Sequence, residues 1–325
     1  MIQEINLKKK LIQCALELVE EGLVVRTWGN MSMRIDEDTM LITPTGKSYE
    51  HLTEGDIVKM RISTGEILES SGLNPSSEAP MHQAFYRIRS DVNVVFHTHQ
   101  IYASALSLSP FEFELLKEEE GVFGAPVLPI SKHAIPGTAA LHRNVELALR
   151  DTRSKVALMA RHGVIAGGND ENEVFFILKK LEAWSRKKYE EITGREAFMR
   201  SSIYDDISPE SDETAFVDGE FSLPSYDGEL KYLKERKLMP YLDDFAQICG
   251  TKVMEKRGRA SAQLMNREMA LCFGRNEVES RQVRAVLEKN LRACHIAAAL
   301  HSSPLSPFQA KIMRIFYLKH YSKKA

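Results

Sequence analysis

Apolar side chains recur at helical or strand spacing along the first two thirds of the chain. Residues 6–22 place apolar side chains one helical turn apart and stop at Gly22, which predicts a helix with a glycine cap. The β-branched run at 92–99 predicts a buried strand. Further helices are predicted at 77–89, 103–108, 139–150 and 171–191, and further strands at 31–35, 40–42, 57–60, 127–130, 156–159 and 163–166.

The pattern changes after residue 200. Residues 201–230 hold nine acidic residues, no lysine or arginine, and several prolines and glycines, which favours a linker or long loop. The remaining sequence has helical spacing, clearest at 277–302. We therefore expect a first domain at 1–198, an acidic linker or long loop at 199–230, and a mostly helical region at 231–325.

A weak internal repeat connects the two parts of the chain. A shift of 106 residues places Glu268 at the position of His162, so a degenerate partial copy would lack that histidine. Two amphipathic helices can also match by chance, because their patterns are simple, and this explanation fits equally well. The shift aligns Gly168 with Gly274, Glu171 with Glu277, Glu173 with Glu279, Leu181 with Leu287 and Glu182 with Glu288.

Composition and charge narrow the function classes. The chain has 325 residues, 43% hydrophobic and 27% charged, as in one large or two ordinary globular domains. A formal net charge of −2 argues against general binding to nucleic acid or membrane surfaces, which needs a basic excess. The four cysteines form no CxxC, and we identify neither a signal peptide nor a membrane-spanning window, so we expect a cytoplasmic protein.

Three histidines and one glutamate suggest metal chemistry. His97 and His99 are two residues apart in the predicted strand 92–99, so their side chains point to the same face. With His162 they form a set of three imidazoles, as in catalytic metal sites that keep one position open. Glu78, in the first turn of a predicted helix, adds a carboxylate. Taken alone, the two strand histidines are equally typical of a packed core.

Small polar clusters precede the histidines and favour an anion. Glycine turns, hydroxyl groups and a helix N-terminus all present hydrogen-bond donors to a group such as phosphate. Each cluster alone is more typical of an ordinary turn or helix cap, so the interpretation depends on their joint occurrence. The clusters are Thr27-Trp28-Gly29-Asn30, Thr43-Pro44-Thr45-Gly46-Lys47 and Ser76-Ser77-Glu78.

Together, these motifs resemble the class II aldolase/adducin family of sugar-phosphate enzymes over about residues 7–195, roughly 60% of the chain. The resemblance implies an α/β/α three-layer domain with a central, mainly antiparallel sheet, followed here by the mostly helical C-terminal extension. It also implies a small sugar phosphate as ligand and a homo-oligomer, either a tetramer or a dimer.

The resemblance assigns a role to each matching residue. His97, His99 and His162 match the metal ligands of the family, and Glu78 matches its catalytic acid/base. His82, one helical turn after Glu78, either supports the site from behind Glu78 or, as is more typical, is a surface or packing residue. The positions that hold the substrate phosphate are matched by Gly29, Asn30, Thr45, Gly46, Ser76 and Ser77.

The expected function is metal-dependent cleavage of a phosphorylated ketose to dihydroxyacetone phosphate and an aldehyde. A divalent metal can bind the C2 carbonyl and C3 hydroxyl of such a sugar and stabilise the charge left when the C3–C4 bond breaks. A carboxylate such as Glu78 can move the proton, and the phosphate site can position the substrate. Zinc is the first choice because imidazole suits it, although manganese, cobalt and iron also fit.

Other functions stay open at this stage. Within the family, a pentulose-phosphate epimerase and a thio-sugar-phosphate dehydratase are alternatives. The epimerase branch tends to carry aspartate where this chain has Glu78, which favours the aldolase over the epimerase. A third alternative is a non-catalytic, adducin-like interaction module, but that branch lacks the metal histidines that this chain has.

Overall fold

The computed structural model describes residues 2–24, 28–197, 221–225, 236–256, 258–265 and 269–320. The chain divides into two compact units, unit 1 at Met1–Lys187 and unit 2 at Lys188–Lys323. The expected boundaries at 198 and 231 stay predictions, because most of the chain between them lies outside the described residues. Within the described ranges, every helix is too short or too polar to span a bilayer.

The elements of unit 1 begin with a helix and continue with four strands, after which helices and strands alternate. The helices are α1 (Ile2–Glu20), α2 (Ala79–Ile88), α3 (Ile101–Leu106), α4 (Lys117–Phe123), α5 (Ala139–Arg150) and α6 (Glu171–Thr193), whose last turns belong to unit 2. The strands are β1 (Asn30–Arg34), β2 (Thr39–Ile42), β3 (Val58–Arg61), β4 (Ile67–Glu69), β5 (Val94–Thr98), β6 (Phe113–Glu114), β7 (Val127–Leu128), β8 (Ile130–Ser131), β9 (Val156–Met159) and β10 (Gly163–Gly168).

Eight of these strands form one sheet in the order β4-β3-β2-β1-β5-β10-β9-β8. Every neighbouring pair is antiparallel except β8 and β9, which are parallel. The strand β5 lies between β1 and β10, and all five of its residues are buried, as its β-branched run predicts. The expectation of a central, mainly antiparallel sheet is confirmed.

Helices cover both faces of this sheet. Val95 of β5 belongs to a buried hydrophobic cluster with Phe85 of α2 and Leu141 of α5. Phe96 points the other way, and its ring centroid lies 5.4 Å from that of Phe175 in α6. Because neighbouring residues of a strand face opposite sides of the sheet, these contacts place helices on both faces and complete the α/β/α arrangement.

Unit 2 combines longer helices with short strands. The strand β15 pairs with β11 and β14 in an antiparallel three-stranded sheet, and β12 pairs with β13. The helical C-terminal region is confirmed, with a small sheet that the helical pattern did not indicate. The helices are α7 (Asp243–Ile248), α8 (Glu277–Leu300) and α9 (Pro307–His320), and the strands are β11 (Phe221–Ser225), β12 (Lys237–Leu238), β13 (Val253–Met254), β14 (Ala262–Leu264) and β15 (Ala270–Gly274).

Local signals fix the ends of α8, the longest helix. The side chain of Asn276 caps its first turn by accepting a hydrogen bond from the backbone N–H of Glu279 at 2.9 Å. At the other end, His301 adopts a left-handed conformation with φ 56°, and its N–H donates to the carbonyl of Ala297. The predicted helix at 277–302 therefore ends two residues early, where the chain turns.

Candidate metal centre and active site

Three histidine side chains meet at one point of unit 1. His97 lies in β5 and His99 directly follows its last residue, so the two-residue spacing puts both on the sheet face that also carries Val95. Their Nε2 atoms lie 2.9 Å apart. With His162 they form a buried group whose possible ligand atoms all lie within 4.8 Å of one another, which is compact enough to hold one metal ion.

The tight turn between β9 and β10 places His162 in this group. The backbone N–H of His162 donates to the carbonyl of Met159 at 2.9 Å, and Arg161 takes a left-handed φ of 63°, which is uncommon outside glycine. A Cβ at Gly163 would lie only 2.4 Å from the carbonyl oxygen of Thr98. The turn therefore needs glycine after the histidine, because any side chain there would push β10 away from β5.

The hydrogen bonding of His97 suits a metal ligand. Its Nδ1 lies 2.8 Å from the carbonyl oxygen of Val164. A carbonyl can only accept, so Nδ1 carries the proton and the Nε2 lone pair faces the other histidines. Nitrogen atoms at this separation repel unless a proton or a cation lies between them. The three imidazoles therefore fit a divalent ion such as zinc, manganese, cobalt or iron.

Glu78 approaches the same group from the start of α2, where it is the residue that precedes the helix. Its Oε1 lies 3.1 Å from Nε2 of His162, and its Oε2 lies 3.3 Å from Nε2 of His97. Burial alone would raise the pKa of this carboxyl. The His97 and His162 imidazoles and the Asn30 amide outweigh burial and hold the pKa well below its ordinary value. Glu78 is therefore an ionised carboxylate beside the candidate metal ligands.

A buried polar chain extends behind Glu78. The amide Nδ2 of Asn30 donates to Oε2 of Glu78 at 2.9 Å, and its Oδ1 lies 2.6 Å from Nε2 of His82. The other ring nitrogen of His82 lies 2.7 Å from Oγ of Ser32, which is 2.8 Å from the hydroxyl of Tyr86. The sequence indicated His82 as one of two alternatives and gave no sign of the links through Asn30, Ser32 and Tyr86. The only signal was the four-residue spacing of Glu78 and His82, which puts both on one helical face.

The predicted phosphate-binding clusters lie together around the start of α2. The N–H of Thr45 donates to the carbonyl of Asn74 at 3.0 Å, and the N–H of Ser76 donates to the carbonyl of Thr43 at 3.2 Å. These bonds join the second and third clusters, and Asn30 joins the first cluster to Glu78. Of the six predicted residues, Asn30 and Ser76 are buried, Gly29, Thr45 and Gly46 are partly exposed, and Ser77 is exposed.

The turn at Gly29 accepts only glycine. Its φ is 154°, and a Cβ there would lie 2.6 Å from the carbonyl oxygen of His97. The hydroxyl of Tyr49 donates to the carbonyl of Gly29 at 2.6 Å and holds the turn from the other side. The first polar cluster is therefore fixed directly against the strand that carries the histidines.

The lysine of the second cluster has another partner. Its ammonium group, on Lys47, lies 2.5 Å from the carboxylate of Asp56. The backbone N–H groups of Thr45, Ser76 and Ala79 donate to carbonyl groups of the protein. The side-chain hydroxyls of the clusters are the donors that can face a ligand at the start of α2, and the helix N-terminus adds a partial positive charge. This combination is typical of sites that bind a phosphate group.

Comparison with known proteins assigns the family. A family model described as the Class II Aldolase and Adducin N-terminal domain matches residues 9–188, more than half of the chain. The chain belongs to this family. Class II aldolases are metal-dependent enzymes, and the group formed by His97, His99 and His162 could bind such a metal.

Several relatives are sugar-phosphate aldolases. L-fuculose phosphate aldolase of Escherichia coli K12 is 37% identical over 161 residues, which cover 50% of this chain and 72% of that protein. A 5-deoxy-D-ribulose 1-phosphate aldolase of Bacillus thuringiensis serovar kurstaki is 27% identical over 184 residues, covering 56% and 84%. A solved L-fuculose 1-phosphate aldolase structure superposes with a TM-score of 0.53 at 29% identity, covering 60% of this chain and 90% of that one.

Proposed function

We propose that this chain is a metal-dependent aldolase that cleaves a phosphorylated ketose into dihydroxyacetone phosphate and an aldehyde. The observation that carries the proposal is the buried carboxyl group of Glu78 in contact with two of three clustered imidazoles. A divalent ion held by His97, His99 and His162 would polarise the carbonyl and hydroxyl oxygens of the sugar as a Lewis acid. We propose zinc first, because imidazole ligands suit it.

The substrate phosphate is proposed to bind where the polar clusters surround the start of α2. Hydroxyl groups there can donate to the phosphate oxygens, and the ten-residue helix adds its N-terminal charge. Binding at this point would hold the sugar chain across Glu78 and supply part of the rate through positioning. The proposed residues are Gly29, Asn30, Thr45, Gly46, Ser76 and Ser77.

Glu78 is proposed to carry the proton of the reaction. In the direction of condensation, its carboxylate removes a proton from C3 of dihydroxyacetone phosphate, C3 bonds to the aldehyde carbon, and the aldehyde oxygen takes up a proton to become the C4 hydroxyl. In the direction of cleavage, the C4 hydroxyl loses its proton as its oxygen becomes the aldehyde carbonyl, the electron pair of the C3–C4 bond moves towards the C2 oxygen, and the protonated Glu78 returns a proton to C3. The low pKa keeps the free side chain in the base form that the condensation direction requires.

A pentulose-phosphate epimerase is the second candidate. A probable L-ribulose-5-phosphate 4-epimerase of Mycoplasma pneumoniae is 34% identical over 103 residues, covering 31% of this chain and 42% of that protein. The same metal group and phosphate site would serve either reaction. Glutamate at position 78 favours cleavage, because the epimerase branch tends to carry aspartate there.

A substrate panel tests the proposal. Metal-loaded protein is incubated with ketose 1-phosphates and with pentulose 5-phosphates, and triose phosphate release and epimer formation are measured together. We expect dihydroxyacetone phosphate from at least one ketose 1-phosphate. Epimer formation without triose phosphate would favour the second candidate, and the absence of both products across the panel would contradict both.

Replacing Glu78 with glutamine tests the proton carrier. The amide keeps the shape of the side chain but cannot accept a proton, so we expect turnover to fall by roughly 10²–10⁴ while bound metal is retained. Turnover and metal content are measured on the same samples. Glu50→Gln, at an exposed position of the same unit, serves as the control and should behave as wild type. Near-wild-type turnover of Glu78→Gln would remove Glu78 from this role.

A further inference from the structure

We propose that His82 is a positioning residue that fixes the amide of Asn30 and, through it, the carboxylate of Glu78. This proposal rests on the proposed function, since it concerns the residue proposed to move the proton. Its basis is the buried chain of hydrogen bonds from Glu78 through Asn30, His82 and Ser32 to Tyr86. His82, Asn30, Ser32 and Tyr86 lie outside the group of three histidines, so replacing His82 removes none of the three proposed imidazole ligands.

The directions of the hydrogen bonds in this chain follow from the first one, in which the Asn30 amide donates to the Glu78 carboxyl group. The Asn30 NH₂ donates to Oε2 of Glu78, so the Oδ1 of Asn30 is the atom that faces His82 and accepts there. Nε2 of His82 must then carry the proton, and its Nδ1 accepts from the hydroxyl of Ser32. Burial lowers the pKa of His82 to about 3, which agrees with a neutral ring. Every donor in the chain therefore points towards Glu78.

Burial makes this arrangement specific. The side chains of Ser32 and His82 are fully buried, and Asn30 and Tyr86 are at most 5% exposed. A buried amide without His82 would lose the partner of its oxygen, and an unsatisfied buried acceptor costs about 1–3 kcal/mol. The amide would then rotate to find another partner, and Glu78 would lose the donor that holds its Oε2.

Variants of His82 test this role with two independent measurements. His82→Leu removes both ring nitrogens, while His82→Gln keeps a side-chain NH₂ that can donate to Oδ1 of Asn30. We expect the leucine variant to keep its metal and its KM but to lose roughly 10–100-fold in kcat, with partial recovery in the glutamine variant. Crystal structures of both variants should show Glu78 displaced in the leucine variant only.

The outcomes separate this proposal from the proposed function. If wild type shows no turnover on the substrate panel, the proposed function fails, and the crystal structures alone then test the position of Glu78. Unchanged Asn30 and Glu78 side chains in His82→Leu would overturn the positioning role. Equal loss of kcat in both variants, or loss of bound metal, would also overturn it, because either result indicates general disruption of the fold.

A second inference comes from unit 2 and rests on different observations. We infer that unit 2 contains a shortened copy of the second half of unit 1, from β5 to α6, without the metal-binding histidines. The helix similarity seen in the sequence is not its basis. Its basis is the pairing of strands, the capping of helices and the connections between them.

The strands pair in the same register in both units. In unit 1, Ala166 of β10 lies opposite Val156 of β9. A shift of 106 residues converts this pair into Cys272 of β15 and Ala262 of β14, which lie opposite each other in unit 2. The remaining pairs of the second ladder, Gln263 with Leu271 and Leu264 with Ala270, match Ala157 with Ile165 and Leu158 with Val164 under the same shift.

The third strand of each sheet repeats the match. Gly168 of β10 lies opposite Val94 of β5, and its counterpart Gly274 lies opposite Phe221 of β11. Both ladders are antiparallel and run for five residue pairs from these glycines. A chance match of two helices does not explain two ladders with the same register. A strand that slipped by one residue would turn each of its side chains to the other face of the sheet, so register is specific.

The following helix is capped in the same way. The N–H of Glu173 donates to the side chain of Asp170 at 2.9 Å, and the N–H of Glu279 donates to the side chain of Asn276 at 2.9 Å. Each glutamate carboxylate in turn accepts the backbone N–H of the residue four positions earlier at 2.7 Å. The two caps match residue for residue under the shift of 106.

The preceding segment also repeats. In unit 1, β6 pairs with β7, and α4 lies between them in the sequence. In unit 2, β12 pairs with β13, and α7 lies between them in the sequence. A glycine with positive φ follows each helix, Gly124 at 84° and Gly250 at 121°. The N–H of Lys155 then donates to the carbonyl of Phe123, and that of Ser261 donates to the carbonyl of Cys249. Both units therefore connect this segment to the sheet alike.

The proposed copy in unit 2 lacks one segment of unit 1, the segment that contains β8 and α5. In unit 1, residues 129–155 separate β7 from β9 and contain β8 and α5. In unit 2, only residues 255–261 separate β13 from β14, which is too short for a strand and a three-turn helix. The shift changes here from 126 residues, as between Gly124 and Gly250, to 106, and a deletion of 20 residues accounts for that change.

The histidine positions have changed in the copy. His97 lies opposite Ile165, and the counterpart of that pair is Pro224 opposite Leu271. The shift places Glu268, which is outside the described residues, at the position of His162. Among the described residues, the metal-binding group of unit 1 has no equivalent in unit 2. For the part of unit 2 that the structure describes, we therefore expect no metal ion, and one ion per chain at the histidines of unit 1.

A crystal structure of the full chain grown with cobalt tests this inference without any activity assay. We expect one anomalous peak per chain, beside His97, and the strand registers and helix caps of unit 2 as described above. The cobalt content of the same protein in solution should be one equivalent. A second peak within unit 2, or a register between β11, β15 and β14 that differs by one residue, would overturn the inference.

Discussion

At His97, the hydrogen bond from Nδ1 to the carbonyl of Val164 leaves only Nε2 for another partner. Removing this imidazole should therefore remove one of three proposed ligands without altering the rest of the strand. We expect His97→Ala to lose most of its bound divalent metal and its turnover together. Metal per chain is measured by elemental analysis after dialysis.

The control for this prediction is another histidine. His51 is exposed and lies outside the clustered group, so His51→Ala should keep full metal occupancy. Full occupancy of His97→Ala would refute the ligand assignment, because a site formed by three imidazoles does not survive the loss of one at unchanged affinity.

The buried His295 of α8 makes unit 2 sensitive to acid. Burial first, and Arg195 and Arg292 in addition, lower the pKa of its imidazole from 6.5 to about 3. Below pH 6.5 the unfolded chain binds a proton that the folded chain does not, so this contribution to stability is full above pH 6.5 and falls as the pH drops towards 3. One such group contributes a slope of up to about 1.4 kcal/mol per pH unit.

Replacing His295 with glutamine should reduce this slope. The free energy of unfolding is measured in urea at several pH values from 7 down to 4. We expect a flatter pH dependence for His295→Gln than for wild type and for the exposed control His51→Gln, whatever the absolute stability of each. An unchanged slope in His295→Gln would show that this imidazole does not link folding to protonation.

The spacing of residues along the chain explains which site residues could be predicted from the sequence. His97 and His99 share a strand face because they are two residues apart, and that is visible without a structure. Asn30 appeared only as a phosphate candidate, while its amide joins Glu78 to His82. The contact is between residues 52 positions apart, so no local pattern could reveal it.

Among the elements, the hydrophobic pattern located the long or fully buried ones. The predicted helix at 139–150 matches α5, and the predicted strand at 156–159 matches β9. The missed elements β4, β6 and α4 have two to seven residues, too few to establish a period. The strands of unit 2 were missed for the same reason, since the long pattern of α8 dominated that part of the sequence.

The two matched helix caps permit a paired test. Asp170→Ala and Asn276→Ala each remove the side chain that accepts the N–H of a glutamate three residues later. We expect each to lower the free energy of unfolding by about 0.5–2 kcal/mol, and by similar amounts. Asn172→Ala, at an exposed position inside α6, should change it little. Urea unfolding gives the comparison, and a neutral Asn276→Ala would show that α8 does not depend on this cap.

At the scale of the whole molecule, the predicted homo-oligomer is still to be measured. The prediction of a tetramer or a dimer comes from resemblance to the family alone. Light scattering on the full chain should give a mass of two or four times 36.8 kDa. A mass of 36.8 kDa at all concentrations tested would contradict it.

The central claim is that one divalent metal, held by three histidines, is required for cleavage of a sugar phosphate. The most direct measurement titrates metal-free protein with zinc and follows bound metal and triose phosphate release together, using the best ketose 1-phosphate of the panel. We expect no triose phosphate release without metal, a rate of release that rises in proportion to the zinc added, and saturation of that rate at one ion per chain. Equal turnover before and after metal addition would contradict it.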